Sequence, residues 1–348
     1  MDSLRSLPLR KGEPVIKAQE LKKFFPFKKG LFGTELVLKA VDGVSLEVAE
    51  NRVLGVVGES GSGKSTLARM VTALDRPTSG DVLFYGKSVF AMDRHELRQF
   101  RRSVQIIFQD PFASLNPRAT VFDTIAEPLR IHRLAGKNDI EQKVAGLLKD
   151  VGLGKEILRR YPHEFSGGQR QRICIARALA VSPRLIVADE PLSALDVSIQ
   201  AQILNILSGL KKRDQLSFLF ISHDLRVVEY LSDEVAVMYL GKVVERSGAE
   251  RLFEKPLHPY TAGLFASAPA IRTKEMSGAP PEKMKIAEEI KKEAPKGDIP
   301  SPIDIPPGCP FHPRCPRRFA PCDKILPRLM EPAGQPGRLV ACHLWNPY

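Results

Sequence analysis

The chain has 348 residues, 43% of them hydrophobic and 26% charged, which is the composition of a folded globular protein rather than a disordered one. Its length exceeds what a single hydrophobic core usually serves, so we expect two or three packed units. The formal net charge of +12 excludes less than it suggests, because residues 1–39 and 301–348 contribute most of it. The long middle of the chain is almost balanced, so we expect no basic groove and no nucleic-acid partner.

The sequence shows neither a membrane span nor a secretory signal. No apolar run approaches the about 20 residues that a membrane-spanning helix needs. The first residues, MDSLRSLPLRK, lack the apolar stretch of a signal peptide. We therefore expect a chain that is not exported and does not cross a bilayer.

The first motif that carries chemistry lies at residues 53–65, which read VLGVVGESGSGKS. An apolar strand, then Gly, four residues and Gly-Lys-Ser, and then a helical pattern form the context in which a P-loop occurs. Glycines let successive N–H groups turn towards one point, where they and the following helix bind phosphate. Lys64 would lie between the β- and γ-phosphates, and the Ser65 hydroxyl would ligate Mg²⁺. The predicted ATP-binding residues here are Gly58, Ser60, Gly61, Ser62, Gly63, Lys64, Ser65 and Thr66.

A second apolar strand, Leu185–Ala188, ends in Asp189 and Glu190. Ligands of parallel sheets bind at the carboxyl ends of strands, so both acids should face the P-loop. We expect Asp189 to hold Mg²⁺ and Glu190 to polarise the attacking water. An acidic turn after a core strand is the alternative for this segment alone, but its pairing with a P-loop favours the catalytic interpretation.

The segment FSGGQRQR at residues 165–172 resembles the signature motif of ATP-binding cassette (ABC) ATPases, with Phe165 where Leu is commoner. The resemblance spans about residues 14–250 and implies an α/β fold, a P-loop NTPase of the ABC type with a helical subdomain at about 112–180. Three further motifs occur in the order typical of that family: Gln109 in IIFQDP before the signature segment, and SALD at 193–196 and His223 in FLFISHD after it.

The ABC resemblance implies that two cassettes pair head to tail and that each signature motif caps the γ-phosphate in the partner's P-loop. The signature residues are Ser166, Gly167, Gly168 and Gln169. Ser166 precedes a long helical pattern, so the motif also supplies a helix N-terminus that can bind an anion. The resemblance further implies that Gln109 contacts Mg²⁺ or the attacking water, and it places Asp196 at the dimer seam. His223 would report the γ-phosphate, since a neutral imidazole can donate to it while accepting from another group.

The adenine of ATP should stack on an aromatic side chain upstream of the P-loop. The segment LKKFFPF at residues 21–27 offers three phenylalanines, and the family's spacing favours Phe25. A phenylalanine in the local core is the alternative.

Proline marks a boundary near residue 256, because 18 of the 28 prolines fall in residues 256–348. We expect an ABC cassette at 14–255, the segment HPYTAGLFASAP and a charged linker at 256–300, and a cysteine-rich extension at 301–348. Within the linker, Glu282–Glu293 could form a short charged helix.

Four of the five cysteines lie in the last forty residues: Cys309, Cys315, Cys322 and Cys342. Cytosolic thiols stay reduced, so their clustering indicates a metal rather than disulfides. Their wide spacing lacks the paired knuckles of structural zinc sites and matches neither ferredoxin pattern. It favours an irregular extension held by an iron–sulfur cluster, with zinc and an unmetallated tail as alternatives.

The segments HPYTAGLFASAP and GCPFHPRCPRRFAPC resemble the C-terminal region of oligopeptide and dipeptide importer ATPases. That resemblance implies a 4Fe–4S cluster at the cysteines. It also implies an ATP-hydrolysing subunit at the cytoplasmic face of the inner or plasma membrane. Its partners would be a second ATPase subunit, two transmembrane permease subunits and an extracytoplasmic substrate-binding protein.

Other interpretations remain open at this point. A soluble ABC ATPase acting on ribosomes or DNA usually has two cassettes or long coiled-coil insertions, and the sequence shows neither heptads nor a second P-loop. An exporter commonly carries its membrane domain on the same chain. Some relatives of peptide importers carry nickel or oligosaccharides, and the cassette residues do not distinguish these substrates.

Overall fold

Two β-sheets and the helices around them form most of the structure, a computed structural model. It describes residues 13–28, 35–136, 138–267 and 297–346. The helix expected at Glu282–Glu293, and most of the charged linker, lie outside the described residues.

The larger sheet has seven strands and positions the functional motifs. In the order in which they pair, they are β11 (Leu339–Val340), β10 (Lys242–Gly248), β9 (Glu234–Tyr239), β3 (Val53–Val57), β8 (Ser217–Ile221), β7 (Leu185–Asp189) and β6 (Val104–Ile107). From β9 to β6 the strands are parallel, whereas β10 pairs antiparallel with both of its neighbours, β9 and β11. Every residue of β3, β7 and β8 is buried, as expected of strands covered on both faces.

The smaller sheet is antiparallel and has the strand order β2 (Glu35–Val48), β1 (Ile16–Lys28), β4 (Ser79–Phe84) and β5 (Lys87–Ser88). One of its faces packs over helix α1 (Lys64–Val71). Leu21 and Val44 of this sheet share a core with Leu67 of α1 and Leu54 of β3. The sheet therefore lies above the P-loop helix and supplies one wall of the space beside it.

Nine labelled helices follow α1 in the described ranges, and four of them lie between β6 and β7. They are α2 (Arg94–Ser103), α3 (Pro111–Ser114), α4 (Val121–Ile131), α5 (Ile140–Asp150), α6 (Gly167–Leu179), α7 (Val197–Asp214), α8 (Leu225–Leu231), α9 (Ala249–Glu254) and α10 (Pro259–Ala266). Helices α4, α5 and α6 contact one another and share apolar core residues, and α3 contacts α6. Within the described residues, none of these helices combines the length and apolar character that crossing a membrane requires.

Residues 297–346 have little regular structure and are held by contacts with the cassette. The side chain of Glu245 is fully buried and accepts hydrogen bonds from the backbone N–H groups of Leu257 (2.8 Å) and His258 (2.9 Å). Arg338 Nη2 donates to Glu245 Oε1 at 3.1 Å. Phe311 is buried in the main core. The sequence predicted an irregular extension held by a metal; the structure gives it a share of the cassette's core and a buried ion pair.

We predict that replacing Arg338 by Leu destabilises the fold by about 3 kcal/mol, because it leaves the buried Glu245 carboxylate without its cation. Chemical denaturation monitored by circular dichroism would measure the loss. Arg246→Leu is the matched control, since Arg246 pairs with Glu234, whose side chain is half exposed, and should cost about 1 kcal/mol or less. Equal losses for the two variants would contradict the prediction.

Candidate functional site

The candidate site lies at the edge of the larger sheet where its parallel strands end. The P-loop, residues 58–65, follows β3, and Gln109 follows β6. Asp189 is the last residue of β7, Glu190 comes directly after it, and His223 follows β8. Parallel pairing of these strands brings four separate sequence segments to one edge, as the motifs predicted.

The backbone of the P-loop depends on glycine. Gly58, Gly61 and Gly63 have φ angles of 155°, 77° and 101°. Gly63 is the N-cap of α1, and a Cβ built on it would lie 2.1 Å from the backbone oxygen of Ala40 in the smaller sheet. A side chain at this position would meet both an unfavourable φ and a backbone clash, so the loop can follow this path only with glycine here.

Lys64 is buried and its ammonium group binds the P-loop itself. Lys64 Nζ donates to the carbonyl oxygens of Gly58 (2.8 Å) and Glu59 (2.9 Å). Burial lowers the pKa of Lys64, and the charges of nearby carboxylates oppose this. A phosphate group at the loop would add an anion beside this ammonium and favour its charged form.

Ser65 and Asp189 form a pair of oxygen donors suited to a magnesium ion. Ser65 Oγ donates to Asp189 Oδ1 at 3.0 Å. Burial raises the pKa of Asp189, and the hydrogen bond from Ser65 and the charge of Lys64 offset this only in part. A hydroxyl and a carboxylate at the mouth of a P-loop are the hard ligands that Mg²⁺ takes with nucleotide phosphates, so these residues fit the ion.

Glu190 is held between the other two predicted catalytic residues. Its Oε2 accepts from Gln109 Nε2 at 3.2 Å and lies 3.0 Å from His223 Nδ1. The backbone of Glu190 has a φ of 47°, the left-handed region that a glutamate rarely adopts. Its N–H donates to the carbonyl of Ile221 at 3.0 Å, which holds this conformation. Such strain concentrates where a side chain must be aimed, here into the space beside the P-loop.

Most of these residues line a cavity of about 680 Å³, within the range that ligand sites occupy; Asp189 lies behind Ser65 and is not part of the lining. Its wall includes the predicted ATP-binding residues Ser60, Gly61, Gly63, Lys64, Ser65 and Thr66 together with Gln109, Glu190 and His223. Gly58 and Ser62 are outside the lining and contact the Lys64 ammonium instead. Phe25 is also outside it: it pairs with Leu38 across the smaller sheet and is 39% exposed, and it is Leu38 that lines the cavity.

The signature segment lies away from this cavity in the same chain. Ser166 is the N-cap of α6, and its Oγ accepts from the N–H of Gln169 at 3.4 Å. At Gly168 a Cβ would lie 2.4 Å from Ile199 Cγ2, so a side chain here would require Ile199 of α7 to move. Asp196 is the exposed residue that begins α7. None of Ser166, Gly167, Gly168 and Gln169 lines the chain's own nucleotide cavity.

The sequence interpretation did not identify two sets of residues near the P-loop. Pro302 of the C-terminal extension lines the cavity, although no motif marks it. Glu59 lies within the P-loop at a position that the motif leaves open, and the structure pairs it with Arg314 and Tyr260. Only the nearby HPYT segment and cysteine motif could have drawn attention to the last two residues.

The four cysteines of the extension, Cys309, Cys315, Cys322 and Cys342, line one small cavity without forming disulfides. Burial raises the pKa values of the Cys309 and Cys342 thiols to about 12. In the described part of the chain, however, no group of three or more His, Cys, Asp or Glu side chains is placed to hold a metal ion. The structure therefore does not support the expected metal-bound extension.

Two family models match successive parts of the chain. Residues 41–193 match the ABC transporter model, and residues 244–322 match the model of the oligopeptide/dipeptide transporter C-terminal region. The dimeric ATP-binding cassette MJ0796, solved in a post-hydrolysis state with ADP and Pi, is 28% identical with a TM-score of 0.59. The alignment covers 67% of this chain and 98% of that one. The fold and site thus define an ATP-binding cassette of the ABC transporter class.

Sequence relatives identify the family more narrowly. The oligopeptide transport ATP-binding protein AppF of Bacillus subtilis is 46% identical over 336 residues, 96% of this chain and 98% of the relative. The dipeptide transport ATP-binding protein DppF of Escherichia coli is 44% identical over 330 residues, 95% of this chain and 94% of the relative. The chain therefore belongs to the family of oligopeptide and dipeptide transport ATP-binding proteins.

We predict that Gly63→Ala lowers nucleotide affinity by about 10-fold or more, because the added methyl group clashes with the backbone at Ala40 and distorts the P-loop. Equilibrium binding of a fluorescent ATP analogue would measure the change. Gly209→Ala on α7 is the control, since a Cβ there meets no atom within 4 Å and alanine favours a helix. Unchanged affinity in a folded Gly63→Ala protein would contradict the prediction.

Proposed function

We propose that this chain hydrolyses ATP to drive the uptake of dipeptides or oligopeptides through a membrane transporter. The observation that carries the proposal is the placement of Glu190 between Gln109 and His223 at the mouth of a P-loop cavity. That arrangement lies in a chain whose family is that of peptide transport ATP-binding proteins. A soluble ABC ATPase acting on ribosomes or DNA is not favoured, because the C-terminal region matches the peptide transporter model.

In the proposed reaction the residues of the site act mainly by position and charge. The P-loop N–H groups and the Lys64 ammonium would hold the β- and γ-phosphates. Ser65 and Asp189, with Gln109 nearby, would hold Mg²⁺, which neutralises phosphate charge when bound. Glu190 would orient the attacking water and accept its proton, and Gln109 and His223 would keep the carboxylate aimed. His223, 58% exposed, is accessible to the γ-phosphate from the cavity side.

We propose that hydrolysis takes place in a sandwich of two cassettes. The signature helix α6 presents its N-terminus, Ser166 to Gln169, outside the chain's own cavity, so it is available to a partner's γ-phosphate. Asp196 begins an exposed helix end that would lie at the seam between cassettes. The resemblance to a cassette solved as a dimer supports this assembly. We propose further that the partner is a second, related subunit, which makes the pair a heterodimer.

The other proposed partners are two permease subunits in the membrane and an extracytoplasmic substrate-binding protein. This chain would bind the cytoplasmic face of the permeases. The segment after Gln109 offers a contact surface, because Phe112 of α3 is 64% exposed while Asp110 caps that helix. Movement of the Gln109 amide with the nucleotide could thus reach an exposed aromatic side chain three residues away.

We predict that Glu190→Gln lowers the rate of ATP turnover by about 100-fold or more, because an amide cannot accept the proton of the attacking water. ATP should still bind. Phosphate release and nucleotide binding would be measured together. Glu234→Gln makes the same chemical change at the start of β9, at the opposite edge of the sheet, and should leave turnover unchanged. Normal turnover in the Glu190 variant would contradict its proposed role.

The same variant tests the assembly. With ATP, Glu190→Gln should form a stable dimer in sedimentation experiments once the companion ATPase subunit of the same transporter is added. Dimerisation of this chain by itself to the same extent would contradict the heterodimer. A complex with ribosomes instead would contradict the transport function.

We propose that the chain divides into a cassette at 14–255, a connecting segment at 256–300 and an extension at 301–348. We also propose that the four cysteines of the extension hold an iron–sulfur cluster of the 4Fe–4S type. Four thiols around one cavity are the donor set that such a cluster takes. The four cysteines of this chain are spaced more widely than the paired knuckles of structural zinc sites, which favours a cluster over zinc.

We predict that protein purified without oxygen absorbs light at about 400 nm, as expected of iron–thiolate charge transfer. The same protein should contain both iron and sulfide. The Cys322→Ser variant should lose that absorbance, whereas Cys174→Ser should keep it, because Cys174 is buried in the cassette core and lies outside the cavity. Zinc without iron in the purified protein would contradict the cluster.

A further inference from the structure

Glu59 is a P-loop residue whose backbone N–H, carbonyl and carboxylate each make hydrogen bonds. Its backbone N–H donates to the hydroxyl of Tyr260 at 2.9 Å, and its carbonyl accepts from Lys64 Nζ at 2.9 Å. Its carboxylate accepts from Arg314 at both oxygens, at 2.8 Å from Nη1 and 3.0 Å from Nη2. The P-loop is therefore fixed from outside the cassette's own motifs, by a tyrosine of the HPYT segment and an arginine of the extension.

The Arg314 side chain is built into this position. It is 8% exposed, and its Nη1 also lies 3.4 Å from the hydroxyl of Tyr239. The centre of the guanidinium group lies 5.9 Å from the ring centroids of both Tyr239 and Phe311. A planar guanidinium that binds a carboxylate through its two terminal nitrogens, and packs beside aromatic rings, fixes the orientation of that carboxylate as well as its distance.

The same residues connect the P-loop with the cysteine cavity. Arg314 directly precedes Cys315, and Phe311 lines that cavity. The Phe311 ring lies 5.4 Å from Tyr260 and 5.5 Å from Tyr239, measured between centroids, and the two tyrosine rings lie 4.6 Å apart. A packed aromatic group thus joins the residues that hold Glu59 to the wall of the cysteine cavity.

We propose that Arg314 is a positioning residue for ATP binding: through Glu59 it holds the P-loop in its phosphate-binding shape and couples the cysteine-bearing segment to the nucleotide site. The inference rests on the proposed function, because it assumes that ATP binds at the P-loop. Coupling between two sites acts in both directions, so nucleotide binding must also stabilise the cysteine-bearing segment. The alternative is that the ion pair only attaches the extension to the cassette.

The first experiment compares nucleotide affinity in Arg314→Gln, Glu59→Gln and the double variant, using a fluorescent non-hydrolysable ATP analogue with Mg²⁺. Each single variant should bind about 10-fold more weakly, and the double variant no more weakly than either, since both changes break the same contact. Arg314→Lys should fall between, because an ammonium cannot make the paired contact. Arg318→Gln, an exposed cation of the same segment, is the control and should bind like the unaltered protein.

The second experiment measures a response that simple attachment would not give. Hydrogen exchange of the backbone N–H groups at Cys309, His312 and Cys315, which are bonded within the extension, should slow when the analogue binds. In Arg314→Gln at saturating analogue, that slowing should disappear while the P-loop remains protected. The result can be interpreted even if the variant unfolds more easily, because for each protein the exchange rate with analogue is compared with the rate without it.

The outcomes separate this inference from the proposed function. If the unaltered protein binds no nucleotide, the proposed function fails. If it binds nucleotide but folded Arg314→Gln binds equally well, or the two single effects add in the double variant, the positioning role is overturned. Exchange in the extension that is the same with and without nucleotide in the unaltered protein would overturn the coupling.

Discussion

Parallel pairing of β3, β6, β7 and β8 is the constraint on which the site depends, because it carries four sequence segments to one edge of the sheet. Strands β3, β7 and β8 are buried on both faces, so their register is fixed by core packing rather than by the site itself. Glu190 shows the effect most clearly: its N–H bonds the carbonyl of Ile221 on the neighbouring strand, which holds a backbone conformation that glutamate alone would not adopt.

The motifs predicted which segments meet at the cavity, because each of these segments follows a short apolar strand. The spacing Gly58 to Ser65 has a physical cause, and the structure shows it at Gly63, where even one added carbon would strike the smaller sheet. Asp189 and Glu190 could be assigned for the same reason, since acids at the end of a buried strand have only one edge to face. Local sequence determines such sites, and a single sequence is enough to find them.

Contacts between distant segments could not be predicted in this way. Phe25 was chosen by its spacing, yet the structure brings Leu38 from the paired strand to the cavity instead. Which of two facing residues lines a cavity depends on strand register and twist, which the sequence does not show. Likewise Arg314 is one of several cations in a proline-rich segment, and nothing in the pattern around it indicates that its partner is Glu59 in the P-loop.

The short strand β11 has a consequence for the solubility of the cassette. It pairs with β10 through Glu245 and Arg246 and thereby covers an edge of the larger sheet whose neighbouring residues, Val243 and Val244, are buried. An uncovered edge strand offers free N–H and C=O groups to another chain and promotes aggregation. By occupying that edge, the C-terminal extension protects the cassette from joining sheet to sheet with its own copies, whether or not the cysteines hold a metal.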